Sequence, residues 1–300
     1  MTQEDLQQRL TAAQSGQECV ESVADYFARF DLAYGHGTDN PADEAYWLVR
    51  AALSWDDEAY LAAPGQSVSR RIAELARRRA VEQIPLAYLL NEAWFAGLKF
   101  YVNDNVLIPR SPLAELIECQ FEPWCTLRPG DRLLDLGTGS GCLAIAAAHH
   151  CPELEVDAIE FEPGAASVAR RNIAGHEAGA RVRLLEGDLF APVDERYRII
   201  LSNPPYVPEA RLEELPREYG HEPDIALAGG SDGLAIVARI LAEAPDYLLP
   251  DGILLIEVGE AEQALIAAHP QLPATWLEFE AGGEGVLVLT RDELAGYLEG

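Results

Sequence analysis

Lysine is nearly missing from this 300-residue chain: Lys99 is the only one, and every other basic residue is Arg. Together they make 22 cations against 50 Asp and Glu, a formal net charge of −28 at pH 7. A field of that sign repels phosphate backbones, whose binding relies on Lys and Arg displacing counterions, and so argues against a general nucleic-acid-binding surface. It suits a basic partner, or a salt-rich cytoplasm in which acidity serves solubility. Cysteine is scarce too. Cys19, Cys119, Cys125, Cys142 and Cys151 form an odd set with no CxxC pair, which fits neither a disulfide framework nor a zinc ribbon and points to a reduced cytosol. Long apolar runs are absent: stretches such as Cys142 to Ala148 fall far short of the roughly 18 residues that span a bilayer. The opening MTQEDLQQRL carries acids where a secretory leader would be basic, so no targeting segment, no membrane and a cytoplasmic location are expected. What is present is ordinary for a packed protein, with 49% hydrophobic and 24% charged residues, and the length is about two domains' worth of chain.

The first ninety residues read as helices. Val20, Val23, Phe27 and Phe30 recur at helical spacing, Asn40-Pro41 sets up an N-cap with Pro at the first helical position, and Trp47, Leu48, Ala51, Ala52 and Trp55 make an apolar stripe. Ser67 to Glu82 places Ile72, Leu75 and Ala76 on one face and Arg70, Arg71, Arg77, Arg78 and Arg79 mostly on the other, a basic run expected to be a solvated face. From Ile84 the period changes. Ala87 to Leu90, Glu92 to Val102 and Val106 to Ile108 are short, rich in aromatic and branched residues, and broken by Gly97 and Asn103-Asp104-Asn105, which suggests a β-hairpin linker. Arg110-Ser111-Pro112 then opens a helix through Leu116 and Phe121. Strands follow at Arg132 to Leu136, Glu155 to Ile159, Arg181 to Leu185, Ile199 to Ser202 and Gly252 to Val258, alternating with helices as in a parallel sheet covered on both faces. Thr275 to Glu280 and Val286 to Thr290, joined across Gly282-Gly283-Glu284-Gly285, are expected to close the edge as an antiparallel hairpin. The expected organisation is a helical substrate-recognition domain over residues 1–86, a hairpin linker over 87–112 and an α/β domain over 113–300.

Two motifs carry chemistry. Leu133-Leu134-Asp135-Leu136-Gly137-Thr138-Gly139-Ser140-Gly141 runs from a strand through three alternate glycines into an apolar helix, letting a ligand approach closer than a Cβ would allow. Glu160 ends the next strand, where a doubly wound sheet places an acid for ribose hydroxyls, and Asp188 follows the third. The spacing is G-x-G-x-G, not the dinucleotide G-x-G-x-x-G, and Asp135 beside the turn would repel a pyrophosphate but suit a cationic ammonium or sulfonium. Asn203-Pro204-Pro205-Tyr206 follows the fourth strand at the mouth of the same crevice. Its two prolines remove two N–H donors and stiffen the turn, leaving carbonyl oxygens as acceptors. A planar NH₂ group is a poor nucleophile but offers two protons. If the Asn203 oxygen and the Pro204 carbonyl each accept one, the nitrogen is fixed facing an electrophile, with Tyr206 as a face for a flat substrate to stack on.

These features resemble the seven-strand S-adenosylmethionine-dependent methyltransferases, a Rossmann-like α/β fold with a mostly parallel sheet, and Asn-Pro-Pro-Tyr resembles their branch that acts on planar amino groups: adenine N6, cytosine N4 or glutamine amides. The charge favours protein over DNA, which needs a basic surface and an extruded base. Asn105 to Ile117 with Pro109-Arg110-Ser111-Pro112, Glu218 to Pro223, Gly229 to Leu234, Trp276 to Phe279 and Gly282 to Val286 resemble the PrmB-type ribosomal protein glutamine N5-methyltransferases, which act on large-subunit ribosomal protein 3. The resemblance implies S-adenosyl-L-methionine held by Asp135, Gly137, Thr138, Gly139, Gly141, Glu160, Asp188, Leu189 and Asn203. It implies a glutamine held by Asn203, Pro204, Pro205, Tyr206, Pro109 and Arg110, with Asn203, Pro204 and Tyr206 catalytic, no metal and a basic ribosomal protein as partner. Glu160 stands where the family often has Asp, and Leu189 where release-factor relatives can have an aromatic residue. A release-factor glutamine methyltransferase and a non-catalytic, cofactor-binding assembly factor stay open as alternatives. His149-His150-Cys151 diverge on a helix and form no metal shell, and His221 reads as structural or substrate-contacting.

Overall fold

Asn40 caps as its place before Pro41 predicts: its Oδ1 accepts from the backbone N–H groups of Ala42 and Asp43, each at 3.0 Å. The chain, here a computed structural model describing residues 1–280 and 282–299, starts with helices closed by the same chemistry. Thr2 caps α1 (Gln3–Ala12), Ser15 caps α2 (Gly16–Phe27), Asn40 caps α3 (Pro41–Ala52) and Asp56 caps α4 (Asp57–Leu61). They are followed by α5 (Gln66–Val81) and α6 (Leu86–Leu90). Their apolar faces bury Leu6, Leu10, Val23, Phe27, Leu48 and Ile72.

These helices and the strip Pro216–His221 form one unit, Met1–Ala93 with Pro216–His221. What ties the strip in is Arg79. The basic run on α5 is solvated at Arg70 and Arg71, but Arg79 turns inward, 1% exposed. Its Nε donates to Glu44 Oε1 at 2.9 Å, its Nη1 to Glu218 Oε1 at 3.0 Å and its Nη2 to the Ala33 carbonyl at 2.7 Å. Glu218 also accepts from the Ala33 N–H at 2.9 Å. A guanidinium can be buried when its donors are satisfied in this way, an arrangement helical spacing cannot reveal because both glutamates are distant in sequence.

The second unit holds Trp94–Leu215 and Glu222–Gly300. Two short strands, β1 (Ala93–Phe95) and β2 (Leu98–Phe100), pair as a hairpin, so the linker is a hairpin only in part. Ala87 to Leu90, expected as strand, is helical in α6 because Leu and Ala favour helix after Pro85, and Asn91 ends it in the left-handed conformation. Val106 to Ile108 forms no strand: the Val106 N–H closes a turn onto the Asn103 carbonyl at 3.1 Å, and the Ile108 N–H is bonded to Glu222 at 3.0 Å. The helix expected from Arg110 begins later, at α7 (Leu113–Glu118), and stops before Phe121, whose φ is +63°.

Then comes the alternation read in the sequence: β3 (Arg132–Leu136), α8 (Cys142–His150), β4 (Glu155–Glu160), α9 (Pro163–Gly175), β5 (Val182–Glu186) and β6 (Tyr197–Ser202). After short α10 (Glu209–Leu212) and α11 (Asp224–Leu227) the chain continues through α12 (Ala235–Tyr247), β7 (Leu248–Glu257), α13 (Glu262–Ala268), β8 (Thr275–Trp276), β9 (Val286–Thr290) and α14 (Arg291–Glu299). The seven-stranded sheet has the order β5-β4-β3-β6-β7-β9-β8. Strands β3 to β7 are parallel, whereas β9 is antiparallel to β7 and to β8. Successive residues face opposite layers: Leu133 packs with Leu143, Val156 and Ile199, and Leu134 with Ile200, Val237 and Ile240. Because β3 leads outward to β4 and β5 and the chain then returns to β6, the order reverses between β3 and β6. A crevice opens there at the carboxyl ends of the strands.

Candidate active site

At that reversal Ser202 ties the two strand ends together, its Oγ donating to the Leu136 carbonyl at 2.9 Å. The glycine turn leaves β3 with the Gly137 and Thr138 N–H groups bonded to the Ile159 carbonyl at 3.0 and 2.9 Å. Gly137 and Gly139 have φ of +71° and +55°, and a Cβ on either would meet nothing within 4 Å, so both present bare backbone to open space. That space is a cavity of about 330 Å³. Gly137, Thr138, Gly139, Glu160, Asp188 and Leu189 line it, together with Asn203, Pro204, Pro205, Pro109 and Arg110.

Asp135, Gly141 and Tyr206 lie behind the wall. Gly141 faces α9, where a Cβ would come 3.5 Å from Ala169. Asp135 is fully buried, its Oδ2 accepting from Thr138 Oγ1 at 2.6 Å, and burial pushes its carboxyl up to about 7. Its visible task is to hold the turn. The Tyr206 hydroxyl donates to Glu257 Oε1 at 3.2 Å, and the ring lies against Gly259, where a Cβ would come within 2.6 Å of it.

Inside the wall, Glu160 Oε2 accepts from the Gly139 N–H at 2.7 Å and Oε1 from the Glu162 N–H at 2.9 Å. Burial raises this carboxyl above its ordinary value, while the backbone donors act the other way. Each oxygen keeps a lone pair for a further donor such as a ribose hydroxyl. Asp188 meets Arg239 at 3.1 and 2.8 Å, a half-exposed pair of the kind worth about 0–1 kcal/mol and so easily opened. Leu189 holds φ +47°, uncommon for a branched side chain. Arg110 is engaged by Glu222 through two contacts of 2.6 and 2.7 Å. His221 Nε2 lies 3.3 Å from the Glu82 carbonyl, and His150 Nε2 lies 2.9 Å from the Ala96 carbonyl.

Residues 124–215 match the model of the methyltransferase small domain. A ribosomal protein uL3 glutamine methyltransferase of Xylella fastidiosa strain Temecula1 is 42% identical over 292 residues, covering 93% of this chain and 91% of the relative. Its counterpart in strain 9a5c is 42% identical over 288 residues, with the same coverage. The chain belongs to the uL3 glutamine methyltransferase family. Among solved structures, the hMettl16 catalytic domain in complex with a MAT2A 3′UTR hairpin has a TM-score of 0.52 at 16% identity, covering 75% of this chain and 81% of that one, a likeness of fold.

As a member of the uL3 glutamine methyltransferase family the chain is an enzyme, and its methyl donor is S-adenosylmethionine. The cavity fits that molecule in kind: bare glycine backbone into whose open space a Cβ would intrude, followed by a carboxylate with spare acceptor capacity. Four residues beside the site escape sequence reasoning: Ser111, Glu222, Arg239 and Glu257. Ser111 and Glu222 lie in segments quoted for the resemblance but without a role of their own, and Glu257 left a signal as a lone acid at the end of the apolar run Ile253-Leu254-Leu255-Ile256 on the strand next to Asn203.

Proposed function

We propose that this enzyme methylates the side-chain amide nitrogen (N5) of a glutamine in ribosomal protein uL3, in the cytoplasm. The observation carrying this reading is that Asn203, Pro204 and Pro205 share one cavity wall with the glycine turn and Glu160, in a chain 42% identical to enzymes named for that substrate. When bound, S-adenosylmethionine supplies an electrophilic methyl group on a positively charged sulfur. The protein's part is placement. Glu160 and the bare backbone at Gly137 and Gly139 hold the nucleoside end. The Asn203 oxygen and the Pro204 carbonyl accept the two protons of the glutamine amide, which would turn its nitrogen toward the cofactor and stabilise the charge the nitrogen gains. Methyl transfer would leave the sulfur neutral and the amide nitrogen acidic enough to lose its proton to water, so no base from this chain is required.

The role of Asn203 is tested by Asn203→Ala, which is expected to leave cofactor binding largely intact, since Glu160 and the glycine turn remain, and to lower kcat on the order of 10²-fold, as loss of one preorganised polar group does elsewhere. Near-normal turnover would sink it. Labelled cofactor offered with uL3 and with a release factor, both made without the modification, followed by peptide mapping, identifies the substrate. Labelling of the release factor alone would replace this reading, and S-adenosylhomocysteine formed only when uL3 is present excludes a purely binding role.

A further inference from the structure

Glu257 has no role in the chemistry above, yet three polar side chains of the site converge on it. The register pairing Ser202 with Ile256 brings Asn203 and Glu257 out of β6 and β7 side by side. Glu257 is 5% exposed. The hydroxyl of Ser111 donates to Oε2 and that of Tyr206 to Oε1 at 3.2 Å, while the strand register sets the Asn203 amide beside the same carboxylate, whose charged form it favours. An ionised carboxylate only accepts, so each of the three must donate. For the hydroxyls this decides little. For Asn203 it decides which end of a nearly symmetric amide faces which way, since only the NH₂ end can meet Glu257.

We infer that Glu257 is a positioning residue: it fixes the Asn203 amide with its oxygen turned to the substrate nitrogen and enriches that oxygen in negative charge, while Ser111 and Tyr206 hold the carboxylate in place. The inference rests on the glutamine-methylating function proposed above and deepens it. A hydrogen bond to an anion on one side of an amide polarises the other side, so the acceptor that meets the positive charge developing on the nitrogen is strengthened before reaction begins. Protonation reverses the arrangement. A neutral Glu257 becomes a donor, to which Asn203 can turn its oxygen, presenting NH₂ to a substrate amide that also needs to donate. Burial raises the Glu257 carboxyl above its ordinary value. Ser111, Tyr206, the Arg110 cation and Asn203 act against that, and Glu222 in turn pairs with Arg110. Turnover should therefore fall on the acid side as Glu257 takes up a proton.

The test uses the full chain with S-adenosylmethionine and unmodified uL3. Glu257→Gln is expected to lower kcat about tenfold or more, change KM for uL3 and cofactor affinity less than about twofold, and flatten the acid limb of the kcat profile. Ser111→Ala keeps the carboxylate but removes a donor to it, and should move the acid limb to higher pH. Wild-type kcat in Glu257→Gln, or an acid limb that neither variant alters, overturns the inference. A second readout needs no methyl transfer. The side-chain amide resonances of Asn203, assigned by their loss in Asn203→Ala, should titrate with Glu257 in the wild type and stand still in Glu257→Gln; a resonance insensitive to pH in the wild type overturns the inference. Wild-type protein that fails to label uL3 yet shows this titration removes the proposed substrate and leaves the role of Glu257 standing.

Discussion

Asp135 shows how a single residue can be placed by its sequence and misjudged by its charge. Its position at the end of β3 was legible from the apolar strand before it and the glycines after it. Its partner, Thr138, was not, and that contact turns the carboxylate away from the cavity wall. With an ordinary value of 3.8 and a folded value of about 7, Asp135 contributes stability that is complete below the ordinary value and lost as the pH rises through about 7. Asp135→Asn keeps an acceptor for Thr138 and removes that loss, so the variant should melt above the wild type at pH 8 and converge with it near pH 4. A lower melting temperature at pH 8 would contradict this, and a large loss of cofactor affinity would show that the carboxylate acts on the ligand through the turn. Glu160 was easier to read, because the rule that places it concerns backbone topology. Arg110 was only half legible: its place in the cavity wall was, its capture by Glu222, 112 positions away, was not.

At the scale of elements, period and punctuation located every strand of the large sheet, while the ends depended on partners. Thr275–Trp276 is shorter than the expected Thr275 to Glu280, and β7 starts at Leu248 rather than Gly252, before a register shift opposite Tyr197 and Ile199. Five residues of apolar run cannot choose between helix and strand by period, which is why α6 was misread. The loop after Asn-Pro-Pro-Tyr has a more specific packing. Its two ends meet where the Val207 N–H bonds to the Leu227 carbonyl at 2.8 Å, and Gly233 then passes so near the turn that a Cβ would stand 2.3 Å from the Tyr206 carbonyl oxygen. Gly130 has a similar φ, +87° against +82°, but open space around it. Gly130→Ala should therefore cost only the left-handed backbone, about 1–2 kcal/mol. Gly233→Ala should cost more and also lower turnover, because the turn bearing Asn203 must shift. Equal losses of melting temperature and of kcat in the two variants would refute the claim that Gly233 is needed for close approach.

Across the whole molecule the net charge of −28 acts on two processes in opposite directions. Added salt shortens the reach of electrostatic forces from about 10 Å at 0.1 M to about 3 Å at 1 M, relieving self-repulsion in the folded chain and weakening its attraction to cationic groups on a ribosomal protein. The melting temperature should rise with sodium chloride while the association rate with uL3 falls, and a melting temperature indifferent to salt would mean that the charges are already balanced locally. Among the described residues no helix is long and apolar enough to cross a membrane. Helices precede strands along the chain as the periodicity predicts, but nothing in the sequence marks the strip Pro216–His221 as part of the helical unit. That strip sets an order in time. A ribosome releases the first ninety-three residues long before it reaches Glu218, so during synthesis Arg79 has only Glu44 and the Ala33 carbonyl to receive its charge. The helical unit is therefore a promise made early and kept late: its last buried ion pair waits until most of the sheet's parallel strands have already been translated.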